Sequence, residues 1–405
     1  MDIDKVNFPA RLLDMLTAVS ESHFVSFDLE LSGVPVKQGG GKPGKASLQE
    51  RYLEIKKAAE QYQILQIGIT CVTEDSTTGT YECKPFNINL SPVVEERLGI
   101  ERNFSFHSGA VEFLLGVGFQ FEMPFTWGVP YLSRNEAKLA KEKSNARQDR
   151  AAFPDMQIKT EDTEAHELMR KVRAEIDQWK NKGMRTNLYL GPAEISDAAR
   201  GQMSDELSRF ERRLVHQLVR AEYPDLVSIS KRGIIQILEY DQEREDDIKE
   251  KRKRENKERI GRLTGFRWVL EAMAGSSLHD IDIRSFARDP QTGEQIFVDL
   301  HDLRARFQRA HNFVKNQPRV LFGHNLFLDI IYLYRTFFGD LPDTVEEFQA
   351  LIHGLFPMIV DTKYMATHNC GDINPMSSLQ QIDEQLLKQE TPVLGKSQRS
   401  TLRIS

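Results

Sequence analysis

The segment at residues 23–34, H-F-V-S-F-D-L-E-L-S-G-V, constrains what this chain can fold into more than any other stretch. Its apolar residues predict a buried β-strand, with Asp28 and Glu30 at the strand's end. Residues two apart on a strand point to the same face, so the two carboxylates project together. Desolvating carboxylates is costly unless positive charge compensates them, and a divalent metal ion supplies such charge. The alternative is a strand that simply reaches the surface there, where water solvates both acids.

The residues after this segment predict an α/β fold with a mixed or antiparallel start to its sheet. A helix is predicted at residues 48–62, with Ser47 as its N-cap and Glu50 as the capping-box partner. Runs rich in apolar β-branched residues at 63–72 and 80–88 predict two strands joined by a polar turn. These two strands have no helix between them, so they are expected to pair as neighbours.

Charge, cysteine content and hydropathy exclude several classes of protein. A chain of 405 residues is long enough for two or three domains, and its net charge of −6 means that any nucleic-acid binding must come from local basic patches. Cys71, Cys83 and Cys370 form no C-x-x-C pair, which argues against a zinc module and a disulfide framework. The N-terminus lacks the features of a signal peptide, and no run reaches the roughly 18–20 apolar residues of a membrane span. We therefore expect a protein of the nucleus or cytoplasm that is neither secreted nor membrane-bound.

An aromatic-rich stretch follows at residues 102–121, R-N-F-S-F-H-S-G-A-V-E-F-L-L-G-V-G-F-Q-F. Ser108 is predicted to cap a short helix that ends near Gly116 or Gly118. Most of these aromatic side chains, including Phe104 and Phe106, are expected to pack in a core. The alternative is that one of them stacks on a nucleic-acid base.

The middle of the chain predicts a small α/β unit. Two amphipathic helices and two β-runs lie between residues 165 and 240, and Arg212 and His216 share one face of the second helix. An Arg-x-x-x-His pair of this kind either contacts phosphate or belongs to an ordinary solvated helix face. Residues 241–262 form a mixed-charge tract that predicts a solvated helix or connector. Within it, 251–254 resembles a nuclear import patch, although such runs are usually solvated surface.

A second informative stretch lies at residues 319–338, R-V-L-F-G-H-N-L-F-L-D-I-I-Y-L-Y-R-T-F-F. It predicts a short buried strand, a turn and a strongly apolar helix whose acid is Asp329. A lone carboxylate in such a helix needs a partner, or it is neutral or destabilising. The partner is either Arg335, in a salt bridge, or a metal ion shared with Asp28 and Glu30.

Three motifs in a fixed order carry a family resemblance: F-D-L-E-L-S-G-V, L-F-G-H-N-L-F-L-D and F-P-M-I-V-D-T-K-Y-M-A. Together with several connecting segments, they resemble the poly(A)-specific ribonuclease family, in the deadenylase branch of the DEDD 3′-to-5′ exonucleases. The resemblance implies an α/β fold, an RNase H-like mixed sheet flanked by helices and interrupted by a small α/β nucleic-acid-binding insertion. It implies a nuclease domain at 1–162 and 263–405, with the Arg-x-x-x-His-like module and charged connector at 163–262.

The resemblance also implies a chemistry and a substrate. Asp28, Glu30 and Asp329 match three of the family's metal-binding catalytic acids, so two Mg²⁺ ions (with Mn²⁺ as the alternative) are expected, roughly 3.5–4 Å apart. The implied reaction is hydrolysis of single-stranded RNA from its 3′ end, preferably a poly(A) tail, with release of 5′-mononucleotides. The RNA-binding residues implied are Val34, Phe104, Phe106, Arg212 and His216. A homodimer is compatible with the family.

The sequence departs from the family pattern after the third acid. The family has a fourth metal-binding Asp and a nearby His that takes a proton from water, but residues 387–405 contain neither. His368 and Asp372 are four apart in a turn-like context that does not match, and Asp383 has the wrong spacing. We therefore expect this sequence to be nearly inactive, either as a truncated version of an active enzyme or as an RNA-binding pseudo-nuclease. A DNA proofreading exonuclease is a third hypothesis, since it shares the three acids without needing the insertion.

Overall fold

The computed structural model describes residues 1–35, 46–148, 156–159, 161–184, 186–191, 207–231, 234–368, 373–374, 377–388 and 402–404. The chain divides into two compact units. The first consists of Met1–Lys143 with Asn256–Ser405, and the second is Ser144–Glu255. The second unit thus begins before the predicted residue 163 and ends before the predicted residue 262.

Helices account for most of the described secondary structure. In chain order they are α1 (Phe8–Glu21), α2 (Leu48–Gln61), α3 (Ser108–Gly116), α4 (Glu122–Thr126), α5 (Arg134–Gln148), α6 (Thr163–Asn181), α7 (Arg209–Glu222), α8 (Gln242–Thr264), α9 (Arg267–Met273), α10 (Leu300–Val314), α11 (Phe327–Phe337), α12 (Val345–Leu355), α13 (Thr362–Thr367) and α14 (Leu379–Leu386). The predicted capping box of α2 is present, because Ser47 and Glu50 bond each other's backbone N–H groups.

The strands form one sheet in each unit. They are β1 (Asp2–Ile3), β2 (Phe24–Leu31), β3 (Ile64–Asp75), β4 (Thr80–Ser91), β5 (Val129–Pro130), β6 (Leu188–Leu190), β7 (Leu226–Lys231), β8 (Ile234–Glu239), β9 (Val320–Gly323), β10 (Ile359–Asp361) and β11 (Leu402–Ile404).

The sheet of the first unit is mixed and has β2 near its centre. Its main path runs β1-β4-β3-β2-β9-β10, with β5 and β11 also paired to β4. On one side β2 is antiparallel to β3, and on the other it is parallel to β9, with Phe24 opposite Val320. The polar turn between β3 and β4 is closed by Asp75, whose carboxylate accepts hydrogen bonds from the backbone of Thr77 and Thr78. The predicted antiparallel start of the sheet is confirmed.

The core of the first unit follows from the alternation of side chains along β2. Val25, Phe27, Leu29 and Leu31 are buried, as the period of a strand with one face on a core requires. They belong to one apolar cluster to which the helices contribute; α1 contacts α9 and α10, and α2 contacts α11 and α12. The acids of β2 lie on the opposite face of the strand from these four residues.

The second unit has its own core. Helices α6 and α7 pack with the antiparallel sheet β6-β8-β7 around buried residues such as Trp179, Leu214 and Ile237. The predicted helices and two of the strands are present, whereas β6 was not predicted, because its three residues are too few to show a period. The predicted solvated helix in the charged tract is α8.

The described residues also show how the helices and cysteines compare with the predictions on membrane spans and disulfide bonds. No described helix is both long and apolar enough to cross a membrane. Cys71 and Cys83 are buried free thiols, and Cys370 lies outside the described residues.

Candidate active site

The acids of β2 stand at the carboxyl end of the strand, beside a glycine. Asp28 is paired across the sheet with Gly68, and Glu30 with Gln66. An ideal Cβ on Gly68 would meet nothing within 4 Å, so the face next to Asp28 is open. Asp28 is exposed and Glu30 is half-buried. The predicted common orientation of the two carboxylates therefore places them at an accessible edge of the sheet.

The structure brings Asp329 to the same place. Strand β9 runs parallel to β2, and the chain turns from β9 into α11, where Asp329 lies in the first turn. Burial, followed by the negative charges of Asp28, Asp361 and Glu30, raises the pKa of Asp329 to about 7. Burial likewise raises the pKa of Asp28, and burial with the charge of Asp28 raises that of Glu30. The three predicted acids thus form one electrostatic unit.

The alternative ion pair for Asp329 is wrong. Arg335 lies one and a half turns further along α11 and pairs instead with Asp340, at 3.3 Å. Asp329 is only 9% exposed, and within the described ranges no salt bridge or side-chain hydrogen bond from another residue compensates its charge.

A tightly bonded loop follows the two acids of β2. The Ser32 hydroxyl donates to the Ser105 carbonyl and accepts from the Gln63 N–H, while the Ser32 carbonyl accepts from the His107 N–H. Gly33 is required there, because a Cβ would lie 2.5 Å from the Tyr62 ring. These contacts hold the L-S-G-V segment against the start of α3.

The bond from His107 also explains an error in the predicted cap of α3. Ser108 is the first helical residue, and His107 occupies the N-cap position without any side-chain capping bond. The hydrogen bond to Ser32 fixes His107 in an extended conformation at the N-cap position, so the helix begins one residue earlier than expected.

A cleft of about 310 Å³ lies against the acids. Glu30 and Asp329 line it together with Val34, His107 and Phe113. Val34 was predicted as an RNA contact, whereas Phe113, which is 65% exposed, was not singled out. Its exposure within an apolar segment was not visible in the sequence, where core packing is the default for phenylalanine.

Phe104 and Phe106 do not line this cleft. They pack edge-on or tilted against Phe125, with ring centroids 6.0 and 6.2 Å apart, and Phe106 also contacts Phe121. Both remain about two-fifths exposed, at 41% and 43%. The cluster is therefore an accessible aromatic surface rather than the buried core expected for most of these rings.

Sequence reasoning missed His324, in the turn between β9 and α11. The Thr362 hydroxyl donates to the Gly323 carbonyl, so its oxygen accepts from His324 Nδ1, at 3.1 Å. The ring proton therefore sits on Nδ1, and the lone pair of Nε2 has no hydrogen-bond partner among the described residues. Burial lowers the pKa of His324, although Asp361 and Asp28 oppose the shift. The side chain is thus a neutral imidazole with an uncommitted acceptor near Asp28.

Asp361 organises the same turn. One carboxylate oxygen accepts the N–H groups of Asn325, Lys363 and Tyr364, and the other accepts that of Leu326. This side chain joins the start of α11 to the start of α13, and it allows Asn325 to hold a left-handed backbone at φ 61°. Asp361 therefore positions the helix that carries Asp329.

The predicted pair of the second unit lines a separate pocket. Arg212 and His216 lie on α7 and border a recess of about 770 Å³. His216 is held by two hydroxyl groups, with Nδ1 2.7 Å from Ser228 Oγ and Nε2 2.7 Å from Ser230 Oγ. The arrangement fixes the imidazole at the wall of a basic recess.

Comparison with known families decides what kind of chain this is. Residues 3–403 match the CAF1 family ribonuclease domain. The chain belongs to the CAF1 family of ribonucleases. Together with the mixed sheet and its flanking helices, this membership confirms the predicted RNase H-like α/β fold class.

Relatives of this CAF1 family chain are distant. An uncharacterised protein of Schizosaccharomyces pombe is 28% identical over 368 residues, covering 90% of this chain and 75% of that protein. The human poly(A)-specific ribonuclease PARN is 24% identical over 419 residues, covering 97% of this chain and 55% of PARN. The chain thus spans about half the length of PARN. A solved structure of S. pombe Pop2p, in a form with Mg²⁺ and Mn²⁺ bound, is 18% identical and covers 34% of this chain and 50% of its own, with a TM-score of 0.25.

The acids of this CAF1 family chain suit a hard divalent cation but do not form a closed cage. Carboxylate oxygens are ligands that Mg²⁺ prefers, and the buried charge of Asp329 lacks a cationic partner within the described ranges. In the same part of the chain, no three His, Cys, Asp or Glu side chains are grouped closely enough to hold an ion. Mg²⁺ commonly keeps several waters and uses one or two carboxylates with substrate phosphates, so this donor set fits it.

Proposed function

We propose that this chain is a divalent-metal-dependent 3′-to-5′ exoribonuclease of the poly(A)-specific type. One observation carries the proposal: Asp28, Glu30 and Asp329, from segments three hundred residues apart, form one negatively charged cluster at the edge of the sheet in a CAF1 family ribonuclease. The preference for poly(A) rests on the name of the PARN relative.

One or two of these carboxylates would hold each metal ion, together with water and substrate phosphate oxygens. Two Mg²⁺ ions, or Mn²⁺ in their place, would supply a more acidic water and stabilise charge on the leaving oxygen. The raised pKa values reflect burial first and then the repulsion between the acids, so a bound cation relieves a cost that is already present in the fold. Asp361 contributes by holding the first turn of α11 in place.

His324 is the proton acceptor in this proposal. Water attacks the phosphorus of the last phosphodiester and gives a proton to Nε2 of His324, a buried atom that must become accessible when RNA binds. The bond from phosphorus to the 3′ oxygen breaks, and that oxygen takes up a proton from solvent. The shortened RNA ends in a new 3′ hydroxyl, and the departing nucleotide carries a 5′ phosphate. Thr362 keeps the ring proton on Nδ1 and thereby keeps Nε2 able to accept. This assignment gives the chain a base that does not depend on the family's C-terminal His.

Each unit offers surfaces that would contact RNA. The cleft beside the acids is lined by Val34 and Phe113, which offer apolar surface to the last nucleotide. Phe104 and Phe106 form an adjacent aromatic surface on which a base can stack. In the second unit, Arg212 and His216 would bind an RNA phosphate backbone.

A 5′-labelled oligo(A) incubated with the chain tests the function. In the presence of Mg²⁺ we expect a ladder of products shortened from the 3′ end, and we expect EDTA to abolish it. Asp28→Asn keeps the size of the side chain and removes its charge, so it should abolish the ladder while RNA binding persists. Oligo(dA) and a mixed-sequence RNA measure the preference for ribose and for adenine.

Each outcome has a distinct meaning. Binding of oligo(A) without cleavage identifies the RNA-binding pseudo-nuclease instead. Equal cleavage of oligo(dA) supports the DNA exonuclease hypothesis. A ladder that survives in the Asp28→Asn variant shows that the three acids are not the catalytic centre.

A further inference from the structure

Helix α10 has one buried and one exposed face. Phe307, Ala310 and Val314 pack into the core of the first unit. The exposed side carries two recesses that share Ala305 and Gln308, and neither includes a residue of the cleft beside the acids. Because Ala305 is small, the two recesses adjoin along the helix. We call this surface the α10 groove.

The first recess, about 580 Å³, combines a base, amides and an aromatic ring. Besides the two shared residues, it is lined by Arg309, Asn312 and Phe313. The Phe313 ring is 55% exposed although the residue lies on an otherwise polar face. An exposed aromatic beside a guanidinium is the combination that single-stranded nucleic-acid sites use to stack a base and neutralise its phosphate.

The second recess, about 470 Å³, is lined by hydrogen-bond donors above an apolar floor. Arg304 and His301 stand at its side, and His311 is 4% exposed at its wall. Nδ1 of His311 accepts the N–H of Leu278, which leaves the ring proton of the neutral form on Nε2. That nitrogen is buried and has no hydrogen-bond partner in the described part of the chain. Because this nitrogen is buried, with the His279 ring 4.5 Å from the His311 ring, ligand contacts in this recess would be made by Arg304 and His301.

The charges of the groove are not neutralised by the protein. Neither Arg304 nor Arg309 has a salt bridge or side-chain hydrogen bond to a described residue. The one acid of α10, Asp302, lines neither recess. Nearby acids are engaged elsewhere: Asp280 pairs with Lys141 at 3.4 Å, and Asp282 bonds Ser285. The groove is therefore a positive patch on a chain of net charge −6.

We propose that the α10 groove binds a stretch of single-stranded RNA outside the cleft of the acids. Arg304 and Arg309 contact phosphates, and Phe313 stacks on a base. Gln308 donates to Asn312 at 2.8 Å, and the remaining polar atoms of this pair bond base or sugar edges. The choice of RNA over an acidic peptide rests on the proposed function and on Phe313. The carboxylates of an acidic peptide would pair with the arginines but would leave the Phe313 ring without a stacking partner. The groove would hold upstream nucleotides of a long substrate.

Fluorescence anisotropy of labelled oligo(A), in EDTA with the full chain, tests the groove directly. Arg304→Gln with Arg309→Gln should lower the slope of log affinity against log salt by about 1.4, or about 0.7 for each phosphate contact. Phe313→Ala should weaken binding about fivefold or more. Matched controls are Arg306→Gln with Lys315→Gln, and Phe297→Ala, because these exposed residues line neither recess. Controls should stay within about twofold of the parent chain.

Repeating the comparison in an Arg212→Ala background removes masking by the second unit. Unchanged RNA affinity and salt slope in both backgrounds would overturn the inference, as would equal losses in the controls. A labelled polyglutamate that binds only when Arg304 and Arg309 are intact, with oligo(A) unaffected, would assign the groove to acidic peptides instead. Binding is measured in EDTA, without turnover. A loss of cleavage alone would therefore contradict the proposed function but not the inference that the groove binds RNA.

Discussion

Replacing Asp329 with asparagine is expected to stabilise the metal-free protein. The carboxyl has a pKa of about 7 in the fold against an ordinary value of 3.8. At about 1.4 kcal/mol for each pH unit, this difference corresponds to about 4 kcal/mol of destabilisation when the group is ionised. Asparagine keeps the shape and removes the charge, so it should recover most of that amount.

The sign of the pH dependence follows from the same values. Because folding raises the pKa, the native state holds the proton more tightly than the unfolded chain does, and the cost of Asp329 grows as the pH rises from about 4 to 7. The gain from Asp329→Asn should therefore be about 4 kcal/mol at pH 8 and less than about 2 kcal/mol at pH 5. Asp28→Asn should give a smaller gain, since Asp28 is exposed.

Urea unfolding of the parent chain and of each variant, at pH 5 and pH 8 in EDTA, measures these differences in the free energy of unfolding. Addition of Mg²⁺ should reverse the order at pH 8, because an ion that binds the native parent chain stabilises it by mass action and loses a ligand in the variant. An Asp329→Asn protein that is less stable than the parent in EDTA at pH 8, or equally more stable at both pH values, would refute this account of the cluster.

Three further outcomes are expected. His324→Gln should lower kcat by about 10²–10⁴-fold with little change in KM, measured on oligo(A); an effect on KM alone would mean that His324 binds substrate rather than accepting a proton. Asp361→Asn should cost about 1–3 kcal/mol in urea unfolding, because an amide hydrogen would face one of the four N–H groups that the carboxylate now accepts. Burial raises the pKa of Glu136, but the ion pair with Arg102 outweighs it and lowers that pKa below the ordinary 4.5. The pair therefore stabilises the fold above pH 4.5, and its contribution is lost as the pH falls below that value. Glu136→Gln should thus cost about 3 kcal/mol at pH 7, and a cost that did not shrink at pH 3.5 would contradict the ion-pair explanation.

Local patterns in the sequence predicted the elements around the site. The strand at β2, the hairpin of β3 and β4 and the capping box at Ser47 each depend on residues within a few positions of one another, and the structure contains them all. The start of α3 was misplaced by one residue because a distant partner, Ser32, decides it.

The composition of the site was only partly predictable for the same reason. The acid pair and Asp329 stood out as carboxylates in apolar surroundings, whose burial requires an explanation. His324 and Asp361 carry no such signal, since histidine and aspartate are ordinary turn residues. Their roles come from hydrogen bonds between segments 35–39 residues apart. The structure places Asp28, Glu30 and Asp361 near Asp329, and it pairs Arg335 with Asp340 instead of Asp329.

The order of strands around β2 has a consequence for synthesis on the ribosome. One edge of β2 is covered by β3 soon after it emerges, but its other edge waits for β9, which begins at Val320. At roughly 5–20 residues per second, that edge stays uncovered for about 15–60 seconds while the intervening residues are translated. During this interval the second unit, whose residues are contiguous, can complete its own core first. The nascent chain therefore carries an open, apolar β-edge that favours mispairing or chaperone binding until the last fifth of the protein is translated.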